Sequence, residues 1–314
     1  FLCLSGFVLA RSYDERLREG MTAGTFMLRR YIRLYPMYFL GTVLGLAVQV
    51  LAPTVPVHLR DFVFTLAMSL LFLPTLSPFP VRAGHGVVSD FPFPFNAPAW
   101  SLCLELAVNW IYGVSRPRMT ALLVTVAVAF LALLQVVLHK GFPPGFTVGS
   151  LAGGMARALF SFFAGVLVFR VWRLRPPRLP AFAPALSCML VVAMAAVPGG
   201  RLTYLGCVLA VPVLVWAGTV NPATAVERRL YDWLGEISYP VYAIHFPVVM
   251  AVQALFYLDG AGTKLSLPTV FGIAGFVILL SFGLSRLWDI PVRRRLTGWF
   301  EGGGGVSSAR RPRA

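Results

Sequence analysis

Three groups of residues in this 314-residue chain have side chains suited to chemistry. In Pro98-Ala-Trp-Ser-Leu-Cys-Leu-Glu105, Ser101 and Glu105 stand four apart and share a helix face, with Trp100 just before them. A carboxylate there can accept a proton or orient a histidine; a structural partner for an arginine or a backbone group would be placed the same way. In Ile237-Ser-Tyr-Pro-Val-Tyr-Ala-Ile-His-Phe-Pro247, Ser238, Tyr242 and His245 fall at i, i+4 and i+7, again one face. Pro240 and Pro247 bracket the histidine, freeing backbone carbonyls and bending a helix so that a polar pocket can open. An imidazole suits general acid–base work near neutral pH, and a satisfied structural histidine is the plainer alternative. The third group is Arg29, Arg30 and Arg33 in Phe26-Met-Leu-Arg-Arg-Tyr-Ile-Arg-Leu-Tyr-Pro-Met-Tyr38, spaced as helix neighbours. Guanidinium forks grip phosphate bidentately, so a cytosolic phosphorylated ligand such as a nucleotide-like carrier could dock there. A simple orienting anchor has the same spacing. His58, His85 and His139 fall in predicted loops and receive no role.

The elements that must position these groups are membrane spans. The chain is 58% hydrophobic and 12% charged, with a mean hydropathy of +0.76, against about 25% charged residues in soluble domains. Lipid as solvent removes the need for a polar surface. The net charge of +15 comes from short basic runs between apolar segments, which is the positive-inside pattern, with anionic headgroup contact as a secondary effect. Nucleic-acid binding is excluded because membrane spans interrupt those runs. Cys3, Cys103, Cys188 and Cys207 lie in apolar segments without metal-like spacing and read as small buried hydrophobes; no metal site is expected.

About 20 apolar residues cross a bilayer. The predicted spans are Leu34–Ala52, Ala99–Val114, Thr120–Leu138, Leu151–Val171, Ala181–Val197, Thr203–Val220, Ile237–Tyr257 and Leu267–Ile290, with Phe1–Ala10 the end of another. The fold class is an all-α polytopic helical bundle of about nine spans. The six arginines between Arg11 and Arg33 place that stretch inside. The loops at Arg116 and Arg118, Arg170–Arg178 and Glu227–Arg229, and the Arg293–Arg295 run, are inside as well only if Asp61–Leu76 does not cross. That segment is therefore predicted to be re-entrant or interfacial. Ser77–Pro98, rich in proline and phenylalanine, becomes an irregular outer loop that either shapes a substrate entrance or anchors at the interface. Residues 1–300 form one transmembrane unit, residues 301–314 a disordered tail, and no soluble second domain or internal repeat is visible.

Five motifs in order resemble those of acyltransferase family 3, membrane-bound O-acyltransferases of bacterial surface glycans: Phe1-Leu-Cys-Leu-Ser-Gly-Phe7, the Phe26–Tyr38 arginine motif, Trp100-Ser-Leu-Cys-Leu-Glu105, Ser238-Tyr-Pro-Val-Tyr-Ala-Ile-His-Phe-Pro247, and Asp289-Ile-Pro-Val-Arg-Arg294, where the family has Glu in place of Asp289. Together they cover nearly the whole chain. The resemblance implies a multi-pass protein of the inner (plasma) membrane that O-acylates an extracytoplasmic glycan or lipid-linked acceptor. Cytosolic acyl-CoA, typically acetyl-CoA, would be the donor, no cofactor would stay bound, and membrane lipids would surround the protein. It implies that Arg29, Arg30 and Arg33 meet the donor's phosphates, that Glu105 and His245 are catalytic, and that Trp100, Ser101, Tyr242 and Ser238 line the pocket. Family members also carry an earlier span ending in a histidine taken as the catalytic base. This sequence opens on Phe1, so the expectation is a chain that lacks that span.

Two other functions fit a polytopic protein. A transporter of acyl groups or glycan precursors would show interrupted half-helices in matched positions; none is found, and transport does not explain the arginine-rich entry helix. A non-catalytic remnant is the other alternative.

Overall fold

The computed structural model describes residues 1–51, 56–83, 86–140, 145–196, 200–220, 224–258 and 266–302. His85 and most of the predicted tail lie outside them. Eleven helices follow one another among the described residues: α1 (Leu2–Arg18), α2 (Ala23–Leu51), α3 (Leu59–Leu70), α4 (Ala99–Ser115), α5 (Met119–Lys140), α6 (Leu151–Leu174), α7 (Ala183–Ala196), α8 (Arg201–Ala217), α9 (Ala225–Leu258), α10 (Leu267–Leu284) and α11 (Ile290–Gly302). A small antiparallel hairpin, β1 (Val81–Ala83) with β2 (Gly86–Val88), interrupts the α3–α4 connection.

Apart from α3 and α11, nine helices match the nine predicted spans. Five helical stretches are long and apolar enough to cross a membrane: α2, α5, α6, α9 and the run through α10 and α11. The remaining four are shorter, at 17 residues for α1, α4 and α8 and 14 for α7. A 17-residue helix rises only about 25 Å, the lower end of what spans. Two helices start well before their predicted spans. Apolar runs mark where lipid begins, whereas the basic first turns of α2 and the charged first turns of α9 are already helical.

Lipid-like faces lie at the periphery. Val124, Val128 and Leu131 on α5 and Phe271 and Leu279 on α10 are exposed, as apolar surface facing acyl chains should be. Cys188 on α7 is also exposed rather than buried, and His139 lies in α5, not in a loop.

The contacts that decide orientation gather at two ends. At one end, Arg116 Nη2 donates to the Met21 carbonyl (2.8 Å) and Trp216 Nε1 donates to the Arg175 carbonyl (3.3 Å). Arg286 pairs with Glu236 (2.9 Å), tying the foot of α9 to the α10–α11 junction. At the other end, Val148 N–H donates to the Asp90 carbonyl (2.8 Å) and Arg201 Nη1 to the Leu138 carbonyl (2.6 Å). The basic segments are thus joined at a single end.

The 12-residue α3 rises about 18 Å, too short to cross. Helix ends leave carbonyls without partners, and here α2 supplies them: Tyr35 Oη donates to the Leu70 carbonyl (2.8 Å) and Tyr38 Oη to that of Ser69 (2.5 Å). Phe72 takes a left-handed backbone (φ 60°) that turns the chain back and stacks its ring on Tyr38, centroids 3.8 Å apart. The proline- and phenylalanine-rich segment then folds inward. Phe79, Phe91, Phe93 and Phe95 are all buried; Phe79, Phe91 and Phe95 pack against Phe62 and Leu66 of α3 and Phe246 of α9, and Phe93 against Tyr38 and Phe72. Interfacial anchoring is therefore overturned for these rings: they fill the space that a short α3 leaves open.

Close packing needs residues without side chains where α1 crosses α6. A methyl on Gly6 would overlap the Phe162 carbonyl, and one on Gly165 would overlap that of Cys3, so α1 and α6 meet backbone to backbone. α4 packs on both α2 and α6 and so joins the two halves of the bundle.

In a cysteine-free background, single cysteines at the exposed positions Ser89 and Arg116 should label from outside and inside the cell respectively. Reversed labelling by a membrane-impermeant maleimide would refute the non-crossing assignment of α3.

Candidate functional site

α4 carries polar residues at a helical repeat: Ser101, Glu105, Asn109 and Tyr112, each three or four after the last. All four are buried, and they form one continuous seam facing the bundle interior.

At its centre sits Glu105, 1% exposed. Oε1 accepts from Arg30 Nη2 of α2 at 2.8 Å and from Ser5 Oγ of α1 at 2.5 Å. Among the described residues Oε2 is buried with no hydrogen-bond partner, and a buried acceptor without a donor costs about 1–3 kcal/mol or more if charged.

This geometry divides the arginine motif. Arg30 is buried and turned toward Glu105, Arg29 is half-buried, and Arg33 is exposed. The expectation of one three-arginine phosphate grip is corrected for Arg30: helix rotation points it into the bundle, where the Glu105 carboxylate takes it.

One turn above, Ser101 Oγ and Tyr242 Oη of α9 share a hydrogen bond of 2.5 Å, and Tyr242 also donates to the Pro98 carbonyl (2.9 Å). Tyr242 lies within electrostatic reach of Glu105 and Arg157. His245 sits beside it, ring centroids 5.6 Å apart, with Nδ1 2.8 Å from the Tyr242 carbonyl. A carbonyl only accepts, so Nδ1 carries a proton in this contact and Nε2 is the nitrogen left for other partners. No hydrogen bond joins His245 to Glu105 among the described residues, so the carboxylate does not orient this histidine. Ser238 departs from the predicted pocket altogether: it is exposed and bonded to the Gly235 carbonyl of its own helix (3.0 Å).

The prolines of α9 act as the sequence suggested. Pro247 cannot donate to the Ala243 carbonyl, and Asn96 Nδ2 does so instead at 2.9 Å. That bond fastens the end of the aromatic segment to α9 and sets Trp100 at the head of α4. Arg157 of α6 lies over the Trp100 ring, 4.9 Å from its centroid.

Below Glu105, Asn109 is fully buried with neither side-chain polar atom satisfied. Tyr112 Oη then donates to Asp14 Oδ1 of α1 (2.9 Å). Asp14, itself buried, pairs with Arg18 (2.7 Å) and Arg170 of α6 (3.3 Å). Asp289, the acid of the last motif, is held by Arg293 four residues on (2.7 Å).

Sequence reasoning missed several of these residues. Arg157 was readable as an arginine inside an apolar run, and Asn109 and Tyr112 continue the spacing of Ser101 and Glu105. Ser5, Asp14 and Arg170 carried no signal, because their importance lies in contacts between distant helices.

A family model described as an acyltransferase domain matches residues 1–286. The chain is also similar to "Protein 2 in picA locus" of Rhizobium radiobacter, 36% identical over 148 residues, covering 43% of this chain and 73% of that protein. No solved structure matches.

Replacing Glu105 by leucine strands the Arg30 charge and is expected to destabilise the purified protein by ~3–5 kcal/mol. Adding Arg30→Met should recover most of the loss, read by thermal unfolding in detergent. Additive losses would show that the pair is not coupled.

Proposed function

Because the chain belongs to the acyltransferase family whose model spans residues 1–286, and is a helical membrane acyltransferase, we propose that it moves an acyl group, typically acetyl, from cytosolic acyl-CoA to a hydroxyl of an extracytoplasmic glycan or other surface molecule, in the plasma membrane of the cell. The observation that carries this reading is the unpartnered, buried Oε2 of Glu105, at the centre of a polar seam running between the two ends of the bundle.

In this mechanism the donor enters from the basic end, with Arg29 and Arg33 near its phosphates. The acceptor hydroxyl approaches from the side of Trp100, Ser101 and Tyr242. Glu105 Oε2 takes the proton of the acceptor hydroxyl as that oxygen bonds to the acyl carbon, and the proton passes to the coenzyme A sulfur as the thioester C–S bond breaks and the free thiol leaves, while Arg30 and Ser5 hold Oε1 and fix the carboxylate's orientation. Tyr242 and Ser101, already hydrogen-bonded, supply hydroxyls that can stabilise the developing oxyanion. His245 lends Nε2 beside Tyr242 in a supporting acid–base role. Trp100, under the Arg157 cation, walls the pocket.

The test uses protein expressed from its full reading frame and reconstituted in proteoliposomes. Radiolabelled acetyl-CoA should yield an alkali-labile ester on a glycan acceptor. Glu105→Gln should lower turnover by ~100-fold or more with donor affinity kept. Arg33→Ala should instead weaken donor binding, by about fivefold. Uptake of donor or glycan without ester formation would favour the transport reading.

A further inference from the structure

The foot of the polar seam opens into a cavity of about 480 Å³ lined by Arg18, Arg116, Pro117, Arg118, Met119 and Arg170. We propose that this cavity is a binding site for phosphoryl groups.

Four guanidinium groups converge here from three places: the last turn of α1, the α4–α5 connection and α6. The carboxylate of Asp14 answers two of them, Arg18 and Arg170. Arg116 is spent partly on the Met21 carbonyl. The Arg118 side chain makes no hydrogen bond or ion pair among the described residues. Arg170 is nine-tenths buried, yet its Nε has no partner. The cavity therefore holds a net excess of positive charge and an unspent buried donor.

Orienting a membrane protein does not require this. Positive-inside charge works with side chains splayed into water, whereas convergence brings like charges together at a cost in repulsion. Guanidinium forks match the oxygens of phosphate, and the volume falls within the range of small-ligand sites, roughly 300–1,000 Å³.

The position is informative too. Arg116 follows Tyr112 by one turn on α4, and Glu105 lies about 16 Å further up the same helix. A ligand with its phosphates in the cavity and an extended arm along the seam would bring the end of that arm to Glu105. A coenzyme A thioester has that form, and this source rests on the acyltransferase mechanism above. The headgroup of an anionic phospholipid is the other source of the same chemistry.

Two probes distinguish them, with the full reading frame expressed and purified in detergent. Adenosine 3′,5′-bisphosphate is titrated calorimetrically, and bound phosphatidylglycerol is counted by native mass spectrometry. Arg118→Glu replaces an exposed side chain that makes no hydrogen bond or ion pair among the described residues, so the fold should survive. It should weaken one probe on the order of tenfold, with Arg118→Gln weakening it less. Loss confined to the nucleotide identifies the donor's phosphates; loss confined to the lipid identifies a headgroup. If neither probe responds to either variant, the phosphoryl site is refuted, and acetyl-CoA binding that still depends on Arg33 would leave the enzymatic reading standing. A lipid response in a protein that transfers no acetyl would do the reverse.

Discussion

The buried pair of Arg30 and Glu105 is the constraint on which the rest depends. Each ion left alone in this interior would cost several kcal/mol, so neither helix can carry its charge unless the other is in place. α2 must be helical below the lipid boundary for Arg30 to reach inward, and α4 must sit between α2 and α6 for Glu105 to receive it. Ser5 adds a third helix to the same oxygen. The motifs that stand far apart in the chain are neighbours here because one carboxylate needs contributions from all three helices.

Spans were legible in the sequence because lipid demands long apolar runs, and the parity of basic loops singled out α3, whose 12 residues are too few to cross. What could not be read was which way residues point. Three arginines on one helix all look alike until a partner 75 residues away selects Arg30. The phenylalanines between Ser77 and Pro98 sit among prolines that rule out a helix, so the sequence offers no helical face to say that they turn inward against α3. Of the pocket, Ser101 and Tyr242 meet across α4 and α9, while Ser238 lies on α9 one turn before Tyr242 and yet faces away, bonded to the Gly235 carbonyl of its own helix.

The polar groups of α4 are satisfied at the two ends of the seam and open in its middle. Ser101 and Tyr112 are fully engaged with Tyr242 and Asp14, whereas Glu105 Oε2 and the amide of Asn109 are not. The engaged residues hold α4 to its neighbours near each end, and the open ones fall between. A rigid frame around unsatisfied groups is the arrangement in which preorganised polar atoms do most for a reaction, since they need not reorganise as charge develops.

The glycine crossing of α1 and α6 has a mechanical consequence. With Gly6 against the Phe162 carbonyl and Gly165 against that of Cys3, the helices interlock like teeth: sliding either by one residue would drive a side chain into the other's backbone. The ionic clasp of Asp14 and Arg170 closes the same pair nearer the basic end. The two helices therefore behave as one piece. Ser5, which reaches Glu105, and Asp14, at the foot of the seam, ride on that piece together and keep a fixed separation.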